Sequence, residues 1–198
     1  MTQAEWARGI AHNLLAAHLP RRWAHTRGVA AQASQLAAVL GDDADLVEAA
    51  AWLHDIGYGP SLVATGFHPL DGARYLRDVE GADDLLCRLV AHHSCAEVEA
   101  TERGLHHVLL AEFDPPRSDL IGALTFCDMT TDPDGAPISV GHRLADILAR
   151  YGDEHVVSRS IRRSAPMLRE ATEIVAQRLT AYAQRRIAVV DSVEVGLW

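Results

Sequence analysis

Apolar residues recur at every third or fourth position along most of this 198-residue chain, a spacing that places them on one face of a helix. The segments with this spacing end at helix-breaking residues, namely Pro20, Gly41, the string GYGP at 57–60, and Pro115 with Pro116. The sequence contains no alternation of strand and helix patterns and no internal repeat. It therefore predicts an all-α, single-domain helical bundle.

The predicted helices cover residues 5–19, 21–40, 43–56, 69–79, 83–94 and 118–130, and two or three more fill residues 139–184. Acidic residues at the start of the third helix suit the helix dipole, and Pro69 suits a first turn. The helical domain is accordingly assigned to residues 1–184. Residues 185–198 are assigned to a C-terminal tail, for which an extended arm, a small strand and a disordered end stay open.

The charged residues exclude several classes of function. The net charge is −9, whereas a general nucleic-acid binder presents a basic face. All 18 basic residues are arginine, so a Walker-type phosphate loop and a Schiff-base mechanism, which both need lysine, are excluded. Any contact from a basic side chain to phosphate must then come from arginine, which can hold two oxygens at once.

Two further features bear on the cellular compartment. No apolar run reaches the roughly 18 residues that a membrane span needs, and the N-terminus lacks the basic-then-apolar pattern of a signal peptide. Cys87, Cys95 and Cys127 match no zinc-binding spacing and are interpreted as reduced thiols. The chain is therefore expected to be soluble and cytoplasmic, without membrane contact, and homo-oligomerisation stays open.

The chain contains 11 histidines, and most of them need no functional role. A single histidine on a helix is usually a surface residue or a hydrogen-bonded core residue. Six are interpreted in this way, namely His12, His18, His106, His107, His142 and His155. The other five are the candidates for chemistry, namely His25, His54, His68, His92 and His93.

Several polar residues lie on helix faces that are predicted to be buried. His54 ends an apolar stripe and Asp55 follows it directly, while His25 and Asp128 each share an apolar face of another helix. An unpaired buried carboxylate is expensive, so it needs a cation or strong donors. Inward imidazoles and carboxylates from several helices are what a divalent metal site in a bundle core requires. The alternative, separate hydrogen-bonded pairs, would make a costly core.

The adjacent pair His92 and His93 needs a choice between two helix faces. His93 follows Leu86, Leu89 and Val90 on an apolar face, whereas His92 points about 100° away. His93 is therefore ranked above His92 as a ligand, and His92 stays a second candidate.

The string AAAWLHDIGYG at 49–59 resembles the signature of the HD-domain metal-dependent phosphohydrolases, which are all-α. Their ordered ligands are a histidine, a His-Asp doublet and a distant aspartate. These match His25 in RWAHTRGVA, His54 with Asp55, and Asp128 in LTFCDMTTD, so the resemblance covers about residues 20–130. It implies hydrolysis of a phosphoester or phosphoanhydride by metal-bound hydroxide, with His54 and Asp55 at the catalytic centre.

Two more strings, FHPLDGARYL and VAHHS, resemble segments of HD enzymes that hold two or more metals. Those branches include cyclic-dinucleotide phosphodiesterases and symmetrical diadenosine-tetraphosphate hydrolases. The resemblance implies a second ion bound by His68 and by His93, His92 or both, with Asp55 bridging the two ions. The expected cofactor is a divalent transition metal (Fe, Mn, Co or Ni), with two ions bound and with Zn or Mg as further options.

The chain also departs from these branches. It reads SCAEVEA after the histidine pair, where the cyclic-dinucleotide branch has a Gly-Tyr-Pro loop, which disfavours that substrate. Tyr58 stands where related enzymes often place Lys or Glu, and Tyr is a poor general base at neutral pH. Tyr58, Arg22 and Arg143 are instead candidates for binding a small phosphorylated substrate, with a nucleotide as the family-level expectation; a solvated surface arginine is the alternative for Arg22 and Arg143.

Two rival functions stay open. HD-type di-iron oxygenases resemble this ligand order, although some of them carry another histidine at the position of Tyr58. A degenerate HD module that binds a partner without catalysis is the other rival, and the complete ligand set argues against it.

Overall fold

The structure is a computed structural model that describes the backbone of residues 1–195 and the side chains of residues 1–187. Among these residues there is no strand beyond an isolated bridge between Thr131 and Pro137, which confirms the all-α prediction. The α-helices are α1 (Gln3–Leu15), α2 (Pro20–Gln35), α3 (Ala37–Leu40), α4 (Ala44–Leu53), α5 (His68–Asp78), α6 (Asp84–His92), α7 (Ala96–Glu102), α8 (His106–Glu112), α9 (Ser118–Met129), α10 (Val140–Arg150) and α11 (Val156–Val195). None of the described helices is both long enough and apolar enough to cross a membrane.

Helix α4 lies at the centre of the core and packs against α1, α2, α6 and α9. Its buried face consists largely of alanine, with Val47 and Leu53 as the larger residues. Small side chains let the neighbouring helices approach α4 closely, while Leu53 fills the core just before the helix ends. The residues directly after α4, His54 and Asp55, are therefore held inside the bundle.

Several helix ends differ from the sequence prediction. The predicted helix 21–40 divides at Leu36 into α2 and the short α3, and the predicted helix 43–56 ends as an α-helix at Leu53. The predicted helix 83–94 ends at His92, because Ser94 and Cys95 adopt positive φ angles of 49° and 60°. Residues between this kink and Pro115, which the sequence left without assignment, form α7 and α8.

The C-terminal region forms a single long helix. Helix α11 begins at Val156 and continues past residue 184 to Val195. The extended and strand alternatives for the tail are therefore wrong for residues 185–195, while residues 196–198 lie outside the described part of the chain. Leu168 and Val175 are buried and attach α11 to the bundle. The domain boundary at residue 184 stays a prediction.

Candidate metal centre

Side chains from five separate segments of the chain meet in the bundle core. His25 comes from α2, His68 begins α5, and Asp128 comes from the end of α9, while the other three lie just after α4 and α6. They form two groups, and within each group the ligand atoms lie within 4.8 Å of one another. The first group is His25, His54 and Asp128, and the second is Asp55, His68 and His93.

Three of these imidazoles are oriented by backbone carbonyls. A carbonyl can only accept, so in each case the ring donates from Nδ1 and presents Nε2 to the centre. These bonds join His25 to Asp132 at 2.9 Å, His54 to Ala51 at 2.7 Å and His93 to Val90 at 2.7 Å. This arrangement fixes the tautomer in the way that metal-binding histidines require.

The surroundings of the Nε2 atom of His54 show whether a metal ion fits the centre. It is buried and has no hydrogen-bond partner among the described residues. With its Nδ1 committed to a carbonyl, the Nε2 lone pair faces Asp55 Oδ2 at 3.3 Å, and the Nε2 of His25 faces Asp128 Oδ1 at 3.0 Å. Two acceptors this close need a cation between them, and where no metal ion is bound a proton fills this place: burial lowers the pKa of His54, but the charge of Asp55 raises it above its usual value. The convergence of six such groups favours a divalent metal ion over separate protons.

The Asp55 carboxylate lies between the two groups. Its Oδ2 is 3.3 Å from His54 Nε2, and its Oδ1 is 3.3 Å from His68 Nε2. Burial would raise the pKa of this carboxyl, but the charge of Arg22, and then that of His54, holds the pKa well below its usual range. Asp55 is therefore ionised and directs one oxygen toward each group.

Asp128 is also held as a buried anion. Burial acts to raise the pKa of its carboxyl, but the hydrogen bond with His25 and the charge of His54 bring the pKa well below its usual range. Its Oδ2 accepts a hydrogen bond of 2.5 Å from the hydroxyl of Ser94. Ser94 has the positive φ angle that ends α6, so the kink itself brings this hydroxyl to Asp128.

The remaining pair, His68 and His93, is suited to bind a metal because both rings resist protonation. Their Nε2 atoms are 3.1 Å apart. Burial lowers the pKa of His68 well below its usual value, and burial with the neighbouring His54 lowers the pKa of His93. A neutral imidazole is the form that coordinates a metal.

Two glycines allow α5 to bring His68 to Asp55. A Cβ atom at Gly57 would lie 2.0 Å from the carbonyl oxygen of His68, and one at Gly72 would lie 3.1 Å from the nitrogen of Gly57. Only residues without a side chain permit this approach, which explains the glycines in HDIG and HPLDGA. The loop before α5 is held by Asp71, whose carboxylate accepts hydrogen bonds from the backbone of residues 64–66.

A second glycine contact supports His25. The turn at 132–135 packs on α2, where a Cβ at Gly28 would lie 2.4 Å from the carbonyl oxygen of Gly135. Gly135 itself has a φ of 89°, which favours glycine. The contact holds Asp132 where its carbonyl accepts from His25 Nδ1.

Comparison with known proteins agrees with this geometry. A family model described as HD domain matches residues 22–148, which is more than half of the chain. The chain belongs to the HD domain family. Membership implies the superfamily of metal-dependent phosphohydrolases, which confirms the resemblance found in the sequence.

One curated relative of this HD domain is ribonuclease Y from Rubrobacter xylanophilus, which is 33% identical over 79 residues. The match covers 40% of this chain but only 15% of the relative, so the similarity concerns a small part of that protein. No solved structure matches the chain significantly.

The three predicted substrate-binding residues of the HD domain all line a cavity of about 110 Å³ beside the centre. Arg22 Nη1 lies 2.6 Å from Asp55 Oδ2, and its guanidinium lies 4.0 Å from the centroid of the Tyr58 ring. The Tyr58 ring stacks in turn on His68, with centroids 4.0 Å apart. Arg143 reaches the opposite group, with Nη2 3.3 Å from His25 Nε2.

His92 was the second candidate ligand in the sequence analysis. Among the described side chains, it lies outside both groups. Its Nε2 is 2.8 Å from the carbonyl oxygen of Phe113, and its Nδ1 is 3.1 Å from Glu97 Oε1. Both ring nitrogens are therefore occupied by protein partners. Helix α6 ends at His92, so His93 leaves the helical path and turns into the centre.

The sequence analysis did not predict the roles of Ser94 and Asp71 in supporting the centre. Their roles depend on contacts with residues that are distant in sequence or on a loop, and no helical spacing indicates them.

Proposed function

We propose that this HD domain hydrolyses a phosphoester or phosphoanhydride of a small molecule, with a nucleotide as the expected substrate, at a centre of two divalent metal ions. One observation carries the proposal, namely that the two oxygens of Asp55 face two different groups of ligands. A bridging carboxylate between two imidazole-rich groups suits a pair of ions more closely than a single ion.

The residues divide between the two ions as the geometry suggests. His25, His54 and Asp128 would hold one ion, His68 and His93 would hold the other, and Asp55 would bind both. Mixed nitrogen and oxygen ligands suit Fe, Mn, Co or Ni, with Zn and Mg as further options. When bound, the ions supply Lewis acidity toward phosphate oxygens and lower the pKa of a coordinated water.

The protein's own contribution beyond the ligands is to bind and orient the phosphate. Arg22 lies at the cavity beside Asp55, where its guanidinium can donate charge-assisted hydrogen bonds to phosphate oxygens. Burial raises the pKa of the Tyr58 hydroxyl, so Tyr58 keeps its proton and acts as a donor rather than a base. Arg143, whose Nη2 lies beside His25, donates hydrogen bonds to the phosphate from that side of the centre.

The decisive experiment measures metal content and then phosphate release from a panel of nucleotides, sugar phosphates and a short RNA. We expect one or two equivalents of metal and release of phosphate or a nucleoside monophosphate. Asp55→Ala should reduce the activity to background, while Asp114→Ala, which changes an exposed carboxylate outside both ligand groups and the cavity, should not. Folded, active and metal-free protein after chelation would overturn the proposal.

The same experiment separates the rival functions. Hydrolysis should proceed without oxygen and with Mn²⁺ in place of the native metal. Strict dependence on both iron and O₂, with a cleaved carbon bond and no phosphate, would identify an oxygenase instead. Bound metal with no turnover of any kind would identify a binding module.

An RNA phosphodiester is the second candidate substrate, favoured by the 79-residue similarity to ribonuclease Y. The net charge of −9 argues against broad nucleic-acid binding. Cleavage of the RNA but of no nucleotide in the panel would favour this candidate.

A further inference from the structure

A second cavity of about 310 Å³ adjoins the cavity at the metal centre. Three arginines, Arg22, Arg143 and Arg150, line both cavities and so lie where the two cavities meet. The second cavity is completed by His18, Leu19, Pro20, Arg21, His25 and Pro133. Within the described part of the chain, no carboxylate lines it, although the protein as a whole carries a net charge of −9.

Arg143 is the residue that points to an anionic ligand. It is only 6% exposed, and its Nε and Nη1 have no hydrogen-bond partner in the described structure. Its nearest carboxylate oxygens are Asp128 Oδ1 at 3.5 Å from Nη2 and Asp146 Oδ2 at 3.8 Å from Nη1. A buried guanidinium with unused donors is costly unless an anion pairs with it.

Two of the other arginines, Arg21 and Arg150, are held at the cavity by acids that lie outside its lining. Arg21 donates two hydrogen bonds to Asp134, and Arg150 donates to Asp146 at 2.9 Å. These pairs fix two flexible side chains in place, so the entropy cost of ordering them for a ligand is reduced. Neither acid lines the cavity, so the groups that face it from these two pairs are the guanidinium groups.

We propose that the second cavity binds a second phosphate of the substrate, next to the phosphate that reacts at the metal centre. The substrate class is then a molecule with two adjacent phosphates, such as a nucleoside diphosphate or a longer phosphoanhydride. Arg143 and Arg22 contact both phosphates where the two cavities meet, and Arg21 contacts only the second phosphate. This inference rests on the proposed function for the reacting phosphate.

The test compares two non-hydrolysable probes that differ by one phosphonate, methylphosphonate and methylenediphosphonate. Each is titrated by calorimetry into the full-length, metal-loaded protein. We expect the diphosphonate to bind at least about tenfold more tightly, the effect of one or two charge-assisted hydrogen bonds. Arg143→Gln and Arg21→Gln should each remove most of that difference, with circular dichroism confirming the fold. Because Arg21 is largely exposed, its variant tests the site even if the buried Arg143 proves necessary for folding.

Arg27→Gln is the matched control, because Arg27 lies on the same helix as Arg21 but lines neither cavity. It should bind both probes as the unaltered protein does. Equal affinity for the two probes, or an equal loss in Arg27→Gln, would overturn the inference.

The outcomes separate this inference from the proposed function. If the protein prefers the diphosphonate in an arginine-dependent way but releases no phosphate from any substrate, the anion site is supported and the hydrolase function is ruled out. Phosphate release without that preference would retain the hydrolase and reject the second phosphate site.

Discussion

At the scale of single residues, the chemistry of the centre depends on which ring nitrogen each histidine presents. His25, His54 and His93 use Nδ1 for a backbone carbonyl, so Nε2 is directed inward before any ion arrives. His92 uses both nitrogens for protein partners. Of these two adjacent histidines, His93 therefore presents a ring nitrogen to the centre and His92 does not.

His68 allows the two-metal arrangement to be tested. His68→Ala should lose one equivalent of metal and keep the other, because His68 faces only Oδ1 of Asp55 while the first group is complete without it. Metal content measured by plasma mass spectrometry checks this. His92→Ala is the control and should keep both equivalents. Full metal in His68→Ala would mean that the centre holds a single ion.

The sequence predicted these residues with uneven success, for physical reasons. His25, His54 and Asp128 could be predicted because helical spacing indicates an inward face. His68 came from resemblance alone, since it begins a helix and its first turn has no established phase. Ser94 reaches Asp128 only through a kink with positive φ, and no pattern of residue types specified that kink.

At the scale of secondary structure elements, the contact between α5 and the turn after α4 sets the distance between the two groups of ligands. Gly57→Ala should destabilise the fold by about 2 kcal/mol or more, because its Cβ would meet the His68 carbonyl at 2.0 Å. It should also displace His68 and lower metal content. Urea denaturation with metal analysis measures both effects.

The control for this substitution is Gly122→Ala in α9. No described atom outside its own helix backbone lies within 4 Å of a Cβ at this position. Alanine is favoured over glycine inside a helix by roughly 0.5–1 kcal/mol, so this variant should be slightly stabilised. Equal stability of the two variants would contradict the proposed close contact.

Helices α5 and α8 are joined by an ion-pair network whose strength depends on pH. Hydrogen bonds from Arg74, and then from Arg77, lower the pKa of Glu112 below its usual value, although partial burial opposes them. A depressed folded-state pKa means that the stabilisation is present above about pH 4.5 and is lost as the pH falls through the folded value.

Glu112→Gln should therefore lower the free energy of unfolding by about 0.5–1 kcal/mol at pH 7, and by much less near pH 3. Urea denaturation at several pH values measures the difference. Glu170→Gln, which changes an exposed glutamate of α11, should show no such pH dependence. A constant difference between Glu112→Gln and the unaltered protein at all pH values would rule out the ion pairs as its cause.

The ends of the helices show how far local sequence patterns can predict secondary structure. Helix α6 ends two residues earlier than predicted, because Ser94 and Cys95 adopt positive φ angles where the spacing of apolar residues ends. Helix α11 continues where β-branched residues favour an extended chain, so intrinsic preference was a poor guide there. Both errors occur at helix ends, where few backbone hydrogen bonds decide the conformation.

At the scale of the whole molecule, a bound ion would link helices that are far apart in sequence. Removing the metal should lower the melting temperature by roughly 5–10 °C if the metal is supplied at about 100 times its dissociation constant. Calorimetry with and without a chelator checks this. Asp55→Ala should be insensitive to the chelator, because Asp55 would bind both ions, whereas His92→Ala should respond as the unaltered protein does. Identical melting temperatures for the metal-bound and chelated protein would contradict a site in the core.

The order of the ligands along the chain also has a consequence for the protein during its synthesis. Asp128 is the last of the six ligands, and it lies about two thirds of the way along the 198 residues. A nascent chain that has released only His25 to His93 from the ribosome lacks the carboxylate that completes the first group. We therefore expect stable capture of the ion of the first group to begin only after α9 has emerged, which makes completion of the two-ion centre a late event in the maturation of each new molecule.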